Sequence, residues 1–158
     1  MRPDFDKPFS PARIAFDRDG APYAEDFDDV YHSADGGPAQ ARAVFLAGND
    51  LPLRWRGRRS YTILETGFGL GLNFLICASA LMADPAGPSR LNYVSVEKYP
   101  PRREDLARAH ARWRELAAPA AELQSLWPPA VQGFHRLDLA GGRIALTLLF
   151  GDAVPMLS

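Results

Sequence analysis

From Ser60 onward, short apolar runs alternate with longer helical ones. Tyr61-Thr-Ile-Leu-Glu65 is brief and contains β-branched and aromatic residues, which predicts a strand. Glycines follow at positions 67, 69 and 71. The apolar run Phe74-Leu-Ile-Cys-Ala-Ser-Ala-Leu-Met82 predicts a helix from about Gly71 to Met82, ended by Asp84-Pro-Ala-Gly-Pro88. Leu91-Asn-Tyr-Val-Ser-Val-Glu97 predicts a second strand. Between Arg102 and Leu126, residues Leu106, Ala109, Trp113, Leu116 and Ala117 recur at spacings of three and four, as in one long helix that Trp127-Pro-Pro129 stops. His135–Leu139 and Arg143–Phe150 flank Ala140-Gly-Gly142 and predict a hairpin. Strand, glycine loop, helix, strand, helix, strand is the order of a doubly wound α/β sheet.

Residues 1–59 have a different texture and are expected to form an N-terminal, β-rich extension to the α/β unit at 60–158. Ala12–Phe16, the turn signal Asp17-Arg-Asp-Gly20 and the residues after it predict a hairpin. Gln40–Leu46 reads as a short helix capped by Gly48-Asn49. Arg54-Trp-Arg-Gly-Arg-Arg59 is a basic loop leading into the first core strand.

The chain has 158 residues, enough for one domain with a real core. A net charge of −1 gives no global basic field for nucleic acid. The lone cysteine, Cys77, lies in the apolar helix and is expected to be packing; three scattered histidines lack metal-ligand spacing, so no metal site is expected. No apolar run is long enough for a membrane span, and the first residues lack a signal-peptide core, so the expected location is the cytoplasm.

Chemistry concentrates where a sheet of this class binds ligands, beyond the carboxyl ends of its strands. Glu65 ends the first strand, Glu97 ends the second, and Asp152 follows the third. The dinucleotide fingerprint requires Gly-x-Gly-x-x-Gly, whereas the third glycine stands one place early here and Leu72 occupies the required position. No Gly-Lys-Ser/Thr follows, which excludes a P-loop. A carboxylate at Glu65 repels an incoming pyrophosphate but suits a cation. S-adenosylmethionine carries a sulfonium and an ammonium and has no phosphate. Glu97 stands where an acid accepts hydrogen bonds from ribose hydroxyls in either ligand class, and Asp152 where a carboxylate can accept from an adenine amino group.

Phe27-Asp-Asp-Val-Tyr-His-Ser33, Val44-Phe-Leu-Ala-Gly-Asn-Asp-Leu51, Arg54-Trp55, Glu65-Thr-Gly-Phe-Gly-Leu-Gly-Leu-Asn-Phe-Leu75, Ser95-Val-Glu-Lys-Tyr-Pro100 and Leu149-Phe-Gly-Asp152 occur in this order. With these segments the chain resembles, from about residue 12 to its end, the methyltransferase domain of the MnmC family of bifunctional proteins of tRNA 5-methylaminomethyl-2-thiouridine biosynthesis. The resemblance implies a Rossmann-like class I S-adenosylmethionine-dependent methyltransferase fold. It implies methylation of the 5-aminomethyl group on the wobble uridine of tRNA. In the family's two-domain form, a C-terminal FAD-dependent oxidoreductase supplies that amine.

The candidate donor site is Glu65, Gly67, Phe68, Gly69, Gly71, Asn73, Glu97, Lys98 and Asp152. Candidate substrate contacts are Asp28, Asp29, Tyr31, Asn49, Arg54 and Arg56, with no catalytic base assigned. The family continues beyond the third core strand with further sheet and an Asp-Gly-Phe-Ala-Pro segment, so this chain is expected to be part of a longer protein or a truncated product. Its sheet is expected to leave an unpaired edge prone to self-association. The alternatives are a nicotinamide-dependent oxidoreductase, and a non-catalytic remnant that binds a partner through that edge.

Overall fold

The computed structural model describes residues 9–25, 29–30 and 37–157. Strands β1 (Ile14–Phe16), β2 (Pro22–Ala24) and β3 (Asp29–Val30) form a small antiparallel sheet in the order β1-β2-β3. The expected turn between the first two strands is held by Asp17, whose Oδ1 accepts from the amides of Asp19 at 2.9 Å and Ala21 at 2.7 Å. An aspartate side chain that replaces a backbone acceptor in this way stabilises a tight reversal.

Helix α1 (Gly37–Ala41) runs directly into a π-helical turn, Arg42–Leu46, and a 3-10 turn, Ala47–Asn49. The helix therefore starts before the expected Gln40, and the expected Gly48-Asn49 cap is replaced by Asp50, which adopts a left-handed φ of 53°. Pro38 does not prevent the early start. It lies in the first helical turn, where the missing N–H has no intrahelical partner to lose. Ala41, Leu51 and Trp55 then join the main core.

The main sheet has four strands in the order β4-β5-β7-β6: β4 (Ser60–Thr66), β5 (Arg90–Glu97), β6 (Gly133–Leu139) and β7 (Ile144–Phe150). β4, β5 and β7 are parallel, and β6 pairs antiparallel with β7, as the hairpin reading expected. Helix α2 (Leu72–Ala83) links β4 to β5. The long helix expected over Arg102–Leu126 is instead two, α3 (Arg103–His110) and α4 (Ala117–Leu126), separated by a 3-10 turn at Arg114–Leu116. Pro119 explains the division. It lacks an amide hydrogen, so it is accommodated only in the first turn of a new helix, as the third residue of α4. A final short helix is α5 (Ala153–Met156).

Helices α2, α3 and α4 pack together and share one core cluster with the sheet. α2 packs on α4, and α3 on α4. The residues turned toward them form the core: Leu91, Tyr93, Ile144, Leu146, Leu148 and Phe150 are all essentially inaccessible. Cys77 is buried as well, and desolvation pushes its thiol far above the ordinary range, so it packs as an apolar group. On the other face Leu64 is 60% exposed, and among the described residues β4 has a hydrogen-bonded neighbour on one side only, an edge of the kind expected from the sequence. No helix of the described residues is long and apolar enough to cross a membrane.

Candidate functional site

The parallel strands end together, with Thr66 in register with Val96 and Glu97 with Phe150. This brings the glycine loop, Glu97 and Asp152 to one end of the sheet. Gly67, Gly69 and Gly71 all have positive φ, 84°, 55° and 76°. At Gly71 the reason is local: an added Cβ would lie 2.8 Å from the buried Phe68 ring. At Gly67 a Cβ would meet nothing within 4 Å, so the space beside this backbone is open to a ligand.

Four backbone contacts shape the loop. The amides of Gly67 and Phe68 donate to Val96 O at 2.8 and 3.3 Å, and Gly71 N donates to Phe68 O at 2.8 Å. Gly69 N donates to Glu97 Oε2 at 2.7 Å. The Glu97 Oε1 accepts from Tyr99 N at 2.8 Å. Burial raises the Glu97 carboxyl above its ordinary range, and the surrounding backbone amides oppose that shift. Phe68 anchors the loop to the core, its ring stacked on Trp127 at 5.6 Å.

Glu65 lies beneath the loop and is 9% exposed. Its Oε1 accepts from Asn73 Nδ2 and its Oε2 from Ser95 Oγ, both at 2.9 Å. The buried Tyr93 Oη sits beside the same carboxylate and interacts with it. Desolvation raises the Glu65 pKa, with the Asn73 and Ser95 bonds opposing it. Both carboxylate oxygens of Glu65 thus already accept from the chain's own side chains, and Glu65 orients Asn73, which lines the cleft. The cleft has a volume of about 370 Å³ and lies between the α1 segment (Gln40, Val44, Phe45) and the loop (Gly67 to Leu70).

Lys98 Nζ pairs with Asp152 Oδ2 at 2.8 Å on the exposed rim. The pairing raises the lysine pKa and lowers that of the aspartate.

The substrate candidates do not assemble here. Asp28 and Tyr31 lie outside the described residues, and Asp29 is placed only as part of β3. Asn49 Nδ2 caps Phe45 O at 2.8 Å, an intrahelical role. Arg54 and Arg56 precede β4 at the amino end of the sheet, where Ser60 is in register with Arg90. A strand of this length spans about 20 Å, so they are separated from the glycine loop by roughly that distance. Arg56 Nε is also bound to buried Asp84 at 3.0 Å, an oxygen that additionally accepts from Trp55 Nε1 at 3.0 Å. Two features escaped the sequence reading: the Glu65–Ser95–Asn73 network, and His110, which contacts the loop from α3. The histidine had a signal, since it stands four residues after Leu106 on the apolar stripe.

No protein-family model matches the chain. It is 58% identical over 146 residues to the tRNA 5-methylaminomethyl-2-thiouridine biosynthesis bifunctional protein MnmC of Azoarcus sp. (strain BH72), covering 92% of this chain and 23% of that protein. It is 56% identical over 147 residues to the protein of the same name from Thiobacillus denitrificans, covering 93% of this chain and 24% of the relative. The chain thus spans about a quarter of the length of the curated relatives it matches. The solved structure of MNMC2 from Aquifex aeolicus superposes with a TM-score of 0.56 at 22% identity, covering 91% of this chain and 44% of that one. At that identity the likeness speaks for the fold, and it agrees with the Rossmann-like α/β class read from the sequence. The chain is homologous to one domain-sized part of the MnmC bifunctional proteins.

Proposed function

We propose that the chain carries the donor-binding part of an S-adenosylmethionine-dependent tRNA methyltransferase that acts on the 5-aminomethyl group of a wobble uridine to give 5-methylaminomethyl(-2-thio)uridine. The observation that carries this reading is that Glu65, Glu97 and Asp152 come to the same end of the sheet as a loop whose backbone lies open at Gly67. The cation at that rim, Lys98, is already paired with Asp152. Such a site suits a cationic, phosphate-free ligand and is poorly suited to a pyrophosphate. The names of the relatives add tRNA and the methylaminomethyl product.

When bound, S-adenosylmethionine supplies a methyl group activated by its sulfonium. Glu97 would hold the ribose hydroxyls while keeping Gly69 in place. Asn73, fixed by Glu65, would face the amino-acid end, and Asp152 would accept from the adenine amino group. The cleft walls of Val44, Phe45 and Leu72 would exclude water around the reacting amine. That amine must be neutral to attack, and partial desolvation favours its neutral form. Alignment of nucleophile, methyl and leaving sulfur accounts for the remaining rate effect, on the order of several kcal/mol.

The test is transfer of labelled methyl to tRNA that carries 5-aminomethyluridine, in parallel with tRNA that lacks the amine. Equal labelling of both, or none with the amine-bearing tRNA, would count against the reading. The nicotinamide-dependent alternative is the weaker one because carboxylates gather at the loop's end of the sheet.

A further inference from the structure

Leu70 lies in the middle of the glycine loop and is 1% exposed. Its carbonyl meets a side chain from a distant element. His110, the last residue of α3, has its Nε2 2.8 Å from Leu70 O. A carbonyl can only accept, so Nε2 carries the hydrogen. Nδ1 is then an acceptor, and the Gln124 side-chain amide of α4 donates to it at 3.0 Å. The ring is 3% exposed and packs on Trp113 with centroids 5.3 Å apart. Both nitrogens of a neutral imidazole are thereby satisfied.

The consequence lies in the loop. The peptide unit joining Leu70 to Gly71 is held at both ends, its carbonyl by His110 and its amide by Phe68 O. The amide of Gly69 is held by Glu97. Three glycines in five residues would otherwise leave this segment the most conformationally free of the site. Gly69 and Leu70 both line the cleft. We propose that His110 is a positioning residue for the donor site: from outside the ligand's reach it fixes the Leu70–Gly71 peptide and so sets the geometry of the loop that cradles the methyl donor. The inference rests on the reading of this loop as the donor cradle.

The test compares His110→Phe, which keeps a ring without a donor, with His110→Gln, whose amide can donate from the same place. Gln124→Ala, on the half-buried side of α4, is a milder probe that releases Nδ1. Each variant of the chain is measured for S-adenosylmethionine affinity by calorimetry, for hydrogen exchange at the Gly69 and Gly71 amides, and for melting temperature. His110→Phe should bind about tenfold more weakly, the equivalent of one lost hydrogen bond, and should exchange faster at both amides. His110→Gln should recover most of both effects whatever its melting temperature, and Gln124→Ala should fall between. Wild-type affinity and exchange in His110→Phe, or equal losses in the Gln and Phe variants, would overturn the proposal by reducing His110 to packing. Should the unsubstituted chain bind no S-adenosylmethionine, the functional reading fails, and the exchange rates alone still decide whether His110 holds the loop.

Discussion

Glu97 Oε2 accepts the amide hydrogen of Gly69 at 2.7 Å, so the end of β5 and the middle of the glycine loop form one unit. Loss of this carboxylate removes a loop tether and, on the proposed reading, a ligand contact as well. Glu97→Ala is expected to weaken S-adenosylmethionine binding by roughly 1–3 kcal/mol through lost charge-assisted hydrogen bonds. Calorimetry on the folded variant checks this, and unchanged affinity would remove Glu97 from the site.

Gly71→Ala is expected to be destabilising. A left-handed backbone costs an alanine roughly 1–2 kcal/mol, and overpacking against a buried ring adds about 1–3 kcal/mol. The ring is that of Phe68, 2.8 Å from the new Cβ and stacked on Trp127. Urea denaturation should show the loss, and a variant as stable as the original would contradict the loop geometry.

Burial lowers the His110 pKa below its ordinary value of 6.5, with the Leu70 carbonyl opposing the shift. The folded state therefore favours neutral imidazole. Stability from this source is complete above about pH 6.5 and declines as pH falls toward the lowered folded value. Glu65 and Glu97, whose pKa values are raised, contribute with the opposite sign: they gain stability as pH falls through their folded values toward the ordinary carboxylate range. The difference in unfolding free energy between the original chain and His110→Gln, followed from pH 7.5 to 5 in steps of about half a unit, isolates the histidine. That difference should shrink on acidification, and a flat profile would contradict the buried neutral ring.

Arg54 and Arg56 stand two residues apart but differ in what they can do. Arg56 is held by Asp84, whereas the Arg54 guanidinium has no partner among the described residues. If the amino end of the sheet touches an RNA backbone, Arg54→Ala should lower the salt slope of tRNA binding by about one phosphate contact. Arg56→Ala should lower thermal stability and leave that slope unchanged. The reverse pattern would assign the contact to Arg56.

The parts of the fold legible in the sequence were those with strong local signals. β4, α2 and β5 followed from apolar runs bounded by glycine and proline, and the β6–β7 hairpin from Ala140-Gly-Gly142. The break between α3 and α4 was hidden because Leu106, Ala109, Trp113 and Leu116 keep an apolar period across it, while Pro119 alone marks the new start. In the site, the strand-end positions of Glu65, Glu97 and Asp152 were readable from order along the chain. Their partners were not. Whether Glu65 faces a ligand or Ser95 and Asn73 depends on register between strands and on the first turn of α2, which no local pattern encodes. Arg54 and Arg56 were candidate substrate contacts, yet only sheet topology reveals that they stand at the opposite end from the loop.

The most direct measurement is a calorimetric titration of the chain with S-adenosylmethionine beside an identical titration with NADH. Saturable binding of S-adenosylmethionine, with no heat from NADH, is the expected result of strand-end carboxylates gathered at an open glycine loop. Binding of NADH in its place, or no binding of S-adenosylmethionine, would contradict the claim that these residues assemble a methyl-donor site.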